Sequence, residues 1–199
     1  AALRLSERET RVLASSSVVH LHHGSRDVLA RVAILDAPSA APGARVLAGF
    51  TLTEPVPACR GDRFVIRDAS AQRTLGGGRV LDIDPPLRYK RRPDRLARLA
   101  VLRDGTPAQA LDALLEAGPV SPGRLACAWN LARGRIDAML GEAGAHVAGP
   151  SAFPGAAWRR LRDAAVAAIG DTHAREPEMP GLERERLRRI VAPAIAPES

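Results

Sequence analysis

The side chains of this sequence that are best suited to chemistry are arginines, and the chemistry they offer is phosphate binding. A guanidinium keeps its charge at physiological pH and presents N–H donors that match phosphate oxygens. The candidates lie around a glycine triplet at positions 76–78 and in a basic segment that follows Pro86: Arg67, Arg73, Arg79, Arg88, Lys90, Arg91 and Arg92. Ordinary surface charge explains the first three equally well, and a solvated linker explains the last four equally well.

The overall charge points the same way. The formal net charge is +7, and all but one of the 29 basic residues are arginines. Such a balance favours polyanionic partners, chiefly nucleic acid. The chain is also rich in Ala, Gly and Pro, so a compositional bias of the genome is an alternative origin for the arginines.

Two further features invite other interpretations. His20, His22 and His23 suggest a metal site, but no third ligand of known geometry is evident, so we expect strand histidines and no bound metal. The glycine triplet could cradle a phosphate. It lacks the helix N-terminus and the lysine that phosphate loops use, which favours tight barrel geometry instead.

Enzyme motifs are missing from the sequence. There is no GxSxG elbow, and neither cysteine has a plausible histidine partner nearby. A GTPase needs GxxxxGK[ST], but the single lysine, Lys90, stands between Tyr89 and Arg91, and NKxD is absent. We therefore expect no catalytic residues and no cofactor in this chain.

Composition indicates a folded cytoplasmic protein. Hydrophobic residues make up 46% of the 199 residues, enough for real cores. No apolar run approaches the roughly 20 residues of a membrane span, and no signal peptide is evident. Cys59 and Cys127 lie far apart, so free thiols are expected rather than a disulfide.

Short apolar runs with Gly and Pro punctuation predict a small antiparallel β-barrel over residues 11–87, after a lead-in at 1–10. The expected strands cover 18–22, 28–35, 44–52, 63–67 and 79–83. The glycine triplet is expected to form a sharp chain reversal before the last of these strands, where backbone approaches backbone or ligand closely.

The remainder is predicted to be helical. Helices at 108–116, 121–128 and 130–141, followed by a strand at 144–148, describe a winged helix within 88–150. A second winged helix over 151–199 would comprise its first two helices only, the last at 182–191, which is expected to be poorly packed. Trp129 and Trp158 are expected to be core residues rather than stacking platforms.

Residues 62–86 carry a specific resemblance. Their sequence, DRFVIRDASAQRTLGGGRVLDIDPP, is similar to the third domain of the translation-factor GTPases. Residue by residue, this motif is most similar to the bacterial selenocysteine-specific elongation factors. The similarity extends upstream to 20–35 and downstream to the basic segment 88–93 and to 183–189.

This resemblance implies a fold and a function. The fold is the β-barrel of translation-factor domain III followed by winged-helix modules. The function is that of a C-terminal fragment supporting selenocysteine incorporation at recoded UGA codons. GTP and magnesium would bind only in an upstream domain.

The implied partners are selenocysteinyl-tRNA, gripped partly by the barrel, the ribosome, and a messenger-RNA hairpin bound through modules further downstream. The resemblance also implies a monomer, with no membrane partner, in which the first winged helix is largely a spacer.

Two alternatives stay open. One is a stand-alone winged-helix regulator that binds nucleic acid and carries a β-barrel domain. Its third helix offers Arg133 and Arg135, with Arg124 nearby, but few side chains that read bases. The other is a degenerate factor that has lost its GTPase domain.

Overall fold

Alternating apolar side chains build the strands of the first part of the chain in the computed structural model, which describes residues 1–86 and 88–193. The strands are β1 (Ala2–Leu5), β2 (Leu13–Ala14), β3 (Val18–His23), β4 (Arg26–Ile34), β5 (Ser39–Ala40), β6 (Arg45–Leu52), β7 (Arg63–Arg67) and β8 (Thr74–Arg79). Four of the five predicted strands are found close to their expected bounds.

Six of these strands close into an antiparallel barrel in the order β1-β6-β4-β3-β7-β8, with β8 pairing back onto β1. The inward-facing residues of alternate positions fill the interior, and Val19, Val32, Ile34 and Ile66 are fully buried. The predicted barrel is therefore confirmed. Its closure removes the exposed edges that open sheets must protect.

The glycine triplet was expected to form a turn, but it lies at the centre of β8. Each glycine pairs with both neighbouring strands: Gly77, for example, lies opposite Val65 on β7 and Arg4 on β1. A Cβ atom on Gly78 would collide with the carbonyl oxygen of Ala2 and lie 2.9 Å from the Phe64 ring. The predicted close approach of backbones is real, whereas the predicted strand at 79–83 ends at Arg79.

The reversal between β7 and β8 lies earlier, at Asp68. Its carboxylate accepts hydrogen bonds from the backbone N–H groups of Gln72 (2.8 Å) and Arg73 (3.0 Å), and Ala71 adopts a left-handed φ of 54°. Asp side chains favour such turns because they hydrogen-bond their own backbone. The residue whose side chain caps the β7–β8 turn is thus an aspartate rather than a glycine.

The expected lead-in over residues 1–10 also differs from the structure, because Ala2–Leu5 form β1. This strand pairs with β6 and β8 and buries Leu3 and Leu5 in the barrel interior. Four residues are too short for a convincing periodic pattern in sequence. The hydrogen-bonded neighbours on both sides, β6 and β8, make this segment a strand, which its short sequence pattern alone does not predict.

The second part contains α1 (Pro93–Asp104), α2 (Pro107–Ala117), α3 (Pro122–Trp129), α4 (Arg133–Glu142), β9 (His146–Ala148), β10 (Ser151–Phe153), α5 (Gly155–Arg175) and α6 (Arg184–Val191). Thr106 caps α2 through a capping box with Gln109. Helices α2, α3 and α4, with β9 and β10, form the predicted winged helix. Val120 adds an isolated bridge to Ala152 beside the β9–β10 hairpin.

Two boundaries differ from the prediction. Asn130, expected to start the third helix, instead ends α3 in a left-handed conformation, so α4 begins only at Arg133. Strand β10 pairs with β9, so residues 151–153 belong to the first winged helix and not to the second unit. Helices α5 and α6 follow, and no residue of α6 is buried, as expected for a poorly packed helix.

The barrel packs directly on the helices. Leu47 on β6, together with Leu35 and Leu81, joins Leu99 and Leu102 of α1 in one buried apolar cluster that extends into the winged helix. Because outward-facing barrel side chains are buried there, the barrel and the first winged helix share a hydrophobic core rather than a flexible tether.

Candidate nucleic-acid interface

Four exposed arginines lie on the outer face of the barrel, on strands β1, β6, β7 and β8. The register places Arg63 directly opposite Arg79 and Arg4 directly opposite Arg45. All four are exposed. We call Arg4, Arg45, Arg63 and Arg79 the arginine face. Gly77 lies between them, opposite Arg4, and leaves the surface there without a side chain.

This arrangement is unfavourable for the isolated barrel. Like charges directly opposite each other on neighbouring strands destabilise a sheet. Arg4 bonds to Glu7 at 2.6 Å, whereas Arg45, Arg63 and Arg79 have no side-chain hydrogen bond or ion pair with any residue that the structure describes. A ligand with regularly spaced negative charges would relieve this repulsion, as a phosphate backbone does.

Only one of the three arginines predicted near the triplet belongs to this face. Arg79 does, but Arg73 is held by Glu9 (3.1 Å) and Asp68 (3.4 Å). Arg67 is neither on the arginine face nor held by a carboxylate of the described residues. Its Nη2 donates to the Gln72 carbonyl at 3.4 Å, while its Nε is buried without a partner among the described residues.

Sequence reasoning missed Arg4, Arg45 and Arg63 as site residues. Arg4 was missed because β1 was not recognised as a strand. The other two lie on strands that were predicted, but their facing partners depend on register, which the sequence does not reveal. Alternation along a strand shows which side chains share a face of one strand, but not which arginines meet across two.

The basic segment divides into structural and free cations. Arg91 Nη2 donates to the Ile34 carbonyl (2.6 Å) and to the Ser15 hydroxyl (3.3 Å), so it ties the segment to the barrel. Arg92 lies 3.1 Å from the Asp94 carboxylate, and both are exposed. Arg88 and Lys90 make no side-chain hydrogen bond or ion pair within 1–86 and 88–193. The predicted phosphate role thus suits Arg88, Lys90 and Arg92 better than Arg91.

A barrel loop, residues 53–62 between β6 and β7, fixes the helices relative to this surface. The Arg60 N–H donates to the Ala128 carbonyl (2.6 Å), and its Nη2 donates to the Leu102 carbonyl (3.0 Å). Its guanidinium also lies 4.7 Å from the centre of the Trp129 ring. Arg60 therefore satisfies carbonyls at the C-terminal ends of α1 and α3, where a cation is favoured. Burial lowers the pKa of the Arg60 guanidinium.

Two other contacts strengthen this joint. Arg95 of α1 is 6% exposed and pairs with Asp82 at 3.3 Å. The thiol of Cys59 lies 3.5 Å from the carbonyl oxygen of Cys127, and both cysteines are free. Cys59 and Cys127, which are 68 residues apart in sequence, therefore meet at the junction.

The arginines of the winged helix face carboxylates. Arg133 Nε donates to Asp137 at 2.8 Å, Arg135 lies 3.9 Å from Glu142, and Arg124 contacts Asp84. The third helix of this module, α4, therefore presents a nearly balanced surface rather than a basic one. Trp129 is buried as predicted, whereas Trp158 is only half-buried and stacks on His146 at a centroid distance of 4.2 Å.

The histidines also have partners within the barrel. His20 Nδ1 lies 2.9 Å from Asp27, and His23 Nε2 lies 3.1 Å from Asp62. Among the described residues no group of three or more His, Cys, Asp or Glu side chains is arranged to hold a metal ion. Within the same ranges, every helix is too short or too polar to cross a bilayer.

Comparison with known proteins identifies relatives of both parts. Residues 2–87 match the family described as "Selenocysteine-specific elongation factor, beta-barrel domain". The chain is 34% identical to the selenocysteine-specific elongation factor of Escherichia coli K12 over 176 residues, which is 88% of this chain and 27% of that protein. It is 30% identical to the factor of Desulfomicrobium baculatum over 180 residues, which is 85% of this chain and 28% of that protein.

A solved structure shares the fold. The crystal structure of the bacterial selenocysteine-specific elongation factor EF-Sec superposes with a TM-score of 0.54 at 12% identity, covering 96% of this chain and 29% of that one. The chain thus spans less than a third of the length of these relatives.

Proposed function

Because this chain belongs to the family of selenocysteine-specific elongation factors, we propose that it is the C-terminal binding portion of such a factor. In this role it contributes RNA-binding surface and geometry in the cytoplasm, and the GTPase lies in an upstream domain. The proposed ligand of the barrel is the backbone of selenocysteinyl-tRNA. The ribosome and a messenger-RNA hairpin, the latter reached through further modules, complete the proposed partners.

The observation that supports this proposal best is the arginine face. Its pair of Arg63 and Arg79 places two like charges opposite each other, and nothing within the described chain compensates either of them. A folded RNA supplies the missing negative charge without requiring base-specific contacts, because phosphates alone position a protein on a nucleic acid.

The first winged helix is proposed to act as a fixed spacer. The shared core and the contacts of Arg60 support this, since they hold the module against the barrel. The helices from Gly155 onward are proposed to open a second winged helix that continues the arm. Linking two RNA-binding ends on one stiff arm raises the effective concentration of one RNA near the other.

The alternative of a stand-alone winged-helix regulator receives less support. Such a regulator needs a basic recognition helix that enters a groove. In α4, both Arg133 and Arg135 face carboxylates of their own helix, which offset the attraction to phosphate.

The test is the salt dependence of tRNA binding. The variant R63Q/R79Q removes two cations from the arginine face, and we expect it to weaken binding and to reduce the slope of log K against log salt by about two. Fluorescence anisotropy with labelled tRNA at several salt concentrations measures this slope. Since a like-charge pair is removed, the variant should be no less stable than the parent.

The matched control is R133Q/R135Q on α4, which removes the same charge from arginines that already have acidic partners. This control should leave the slope close to that of the parent chain. Equal slopes for the parent and R63Q/R79Q would contradict a role for the arginine face. A larger reduction of the salt slope in R133Q/R135Q than in R63Q/R79Q would favour the winged-helix regulator.

A further inference from the structure

Tyr89 is the only tyrosine in the chain and stands in the middle of the basic segment. Its side chain is 75% exposed, the largest exposure among the exposed large hydrophobic residues of the described chain. The ring makes no stacking or cation–π contact with any residue in 1–86 or 88–193. With aromatics at only 3% of the sequence, an aromatic ring left in water is conspicuous.

The backbone at this position is also unfavourable. Tyr89 has a φ of 57°, in the left-handed region that residues other than glycine rarely adopt. The Arg92 N–H donates to the Tyr89 carbonyl (3.3 Å), and Arg92 lies just before the first residue of α1. The tight turn thus holds the ring outward at a conformational cost. Such outliers concentrate at binding sites.

The surroundings of the ring are cationic. Arg88 and Lys90 are its chain neighbours and have no acidic partner within the described residues, and Arg92 follows in the same turn. An exposed aromatic ring between cations matches the way single-stranded nucleic acids are bound. Bases stack on the ring while the cations meet the phosphates on either side.

We propose that Tyr89 is a stacking platform for an unpaired nucleotide of RNA, with Arg88 and Lys90 contacting its flanking phosphates. This proposal rests on the proposed function and adds to it a second contact, distinct from the arginine face. The two contacts differ in chemistry, because stacking requires an unpaired base whereas the arginine face requires only a backbone. A protein surface, the other partner that an exposed tyrosine could serve, would need acidic groups to face these cations.

The experiment measures binding of a labelled, unstructured single-stranded RNA of about 12 nucleotides, within the usual site size of such surfaces. The variant Y89A should weaken binding roughly 5- to 150-fold, the range expected from loss of one base-stacking contact. Its salt slope should match that of the parent, because no charge is removed. Binding of a blunt RNA duplex of equal length should not change, and Y89F should retain the affinity.

A second variant separates binding from folding. Y89G suits the left-handed backbone, so its melting temperature should equal or exceed that of the parent while its affinity for the single strand falls like that of Y89A. An affinity of Y89A equal to that of the parent would overturn the proposal and leave the ring to a protein partner. Equal weakening of single-stranded and duplex RNA would also overturn it.

The two proposals fail separately. If the parent chain binds tRNA with a salt slope that R63Q/R79Q reduces, but Y89A changes nothing, only the stacking platform is lost. If the parent chain binds the single strand through Tyr89 but R63Q/R79Q leaves the tRNA slope unchanged, the arginine face is lost instead.

Discussion

At the scale of single residues, Asp68 shows how a turn residue acquires an electrostatic role. The hydrogen bond from the Arg73 backbone N–H stabilises the ionised carboxylate most. The Gln72 N–H, the Ser70 hydroxyl and the Arg73 guanidinium also donate to this carboxylate, so the pKa of Asp68 falls to about 2. A carboxyl whose pKa is lower in the folded state favours folding at any pH above its unfolded value. The same contacts occupy Arg73, which removes it from the candidate interface.

The pH dependence follows from this shift. Because the pKa of an unfolded aspartate is about 3.9, the contribution of the Asp68 charge should be complete above about pH 5 and should disappear as the pH falls towards 2. The variant D68N should therefore be less stable than the parent at pH 7, and the difference between them should shrink between pH 4 and pH 2. Urea unfolding of both proteins across this range is the measurement. A difference that stays constant with pH would show that the charge contributes nothing.

The phosphate-binding role of individual arginines stays a prediction, but the structure shows which of them have partners. The number of arginines can be counted without knowing the fold, and this number favours a polyanion partner. Which arginines are free depends on their neighbours in space: Arg91 reaches Ile34 and Arg73 reaches Glu9, each more than 50 residues away in sequence. Arg63 and Arg79, by contrast, stay without acidic partners among the residues that the structure describes.

At the scale of elements, β8 is the feature that the sequence described incorrectly. Three consecutive glycines are typical of a turn, yet here they run through the middle of a strand. The reason is steric, because β1 and β7 approach β8 so closely that side chains at Gly76 and Gly78 would meet backbone atoms of β1. Tertiary packing therefore overrides the low strand propensity of glycine.

A single methyl group tests this explanation. In G78A the added Cβ would meet the Ala2 carbonyl and the Phe64 ring, so β1 or β7 must shift, at a cost of about 1–3 kcal/mol or more. Chemical denaturation should show this loss. The control is G134A in α4, where nothing lies within 4 Å and the helix gains about 0.5–1 kcal/mol from replacing glycine by alanine. Similar effects of the two variants would refute the steric account.

The helical elements were easier to predict than β8. The Thr106-Pro107 and Ser121-Pro122 pairs are local start signals, and both helices begin where these pairs indicate. The start of α4 was placed at Asn130 instead of Arg133, because Asn130 is compatible with either a helix or a left-handed cap.

At the scale of the whole molecule, the structure describes the barrel and the first winged helix as one packed body. Leu35, Leu47 and Leu81 of the barrel share a core with the helices, and Arg60 joins the 53–62 loop to the ends of α1 and α3. A packed junction fits the proposed role of the first winged helix as a fixed spacer, because a flexible junction would lower the effective concentration that the spacer provides.

Replacing Arg60 tests the stiffness of this junction. R60M keeps an apolar stem over Trp129 but removes the bond to the Leu102 carbonyl and the cation–π contact, so unfolding should become easier by about 1–3 kcal/mol. Nitrogen-15 relaxation should give equal rotational correlation times for the barrel and for α1–α4 in the parent chain. In R60M these times should diverge.

The control is R8A, a change at an exposed arginine of the barrel that makes no side-chain bond within the described residues. It should leave the stability and both correlation times unchanged. Separate correlation times already present in the parent chain would contradict the one-body description.

Features that depend on local pattern and composition could be predicted from the order of the amino acids. Alternating apolar residues specified four of the strands, start signals specified α2 and α3, and the motif in residues 62–86 specified the family. Charge composition likewise pointed to nucleic acid. These properties are carried by near neighbours in the chain, so they can be read without knowing the fold.

Features that join residues far apart in sequence became visible in the folded chain alone. It placed Ala2–Leu5 between β6 and β8, set Arg63 against Arg79, and brought Arg60 onto the ends of two helices. Strand register and module docking decide which charges are compensated and which stay exposed. The candidate site is therefore a property of the closed barrel and its junction, because the arginines that compose it become neighbours only after the strands have paired.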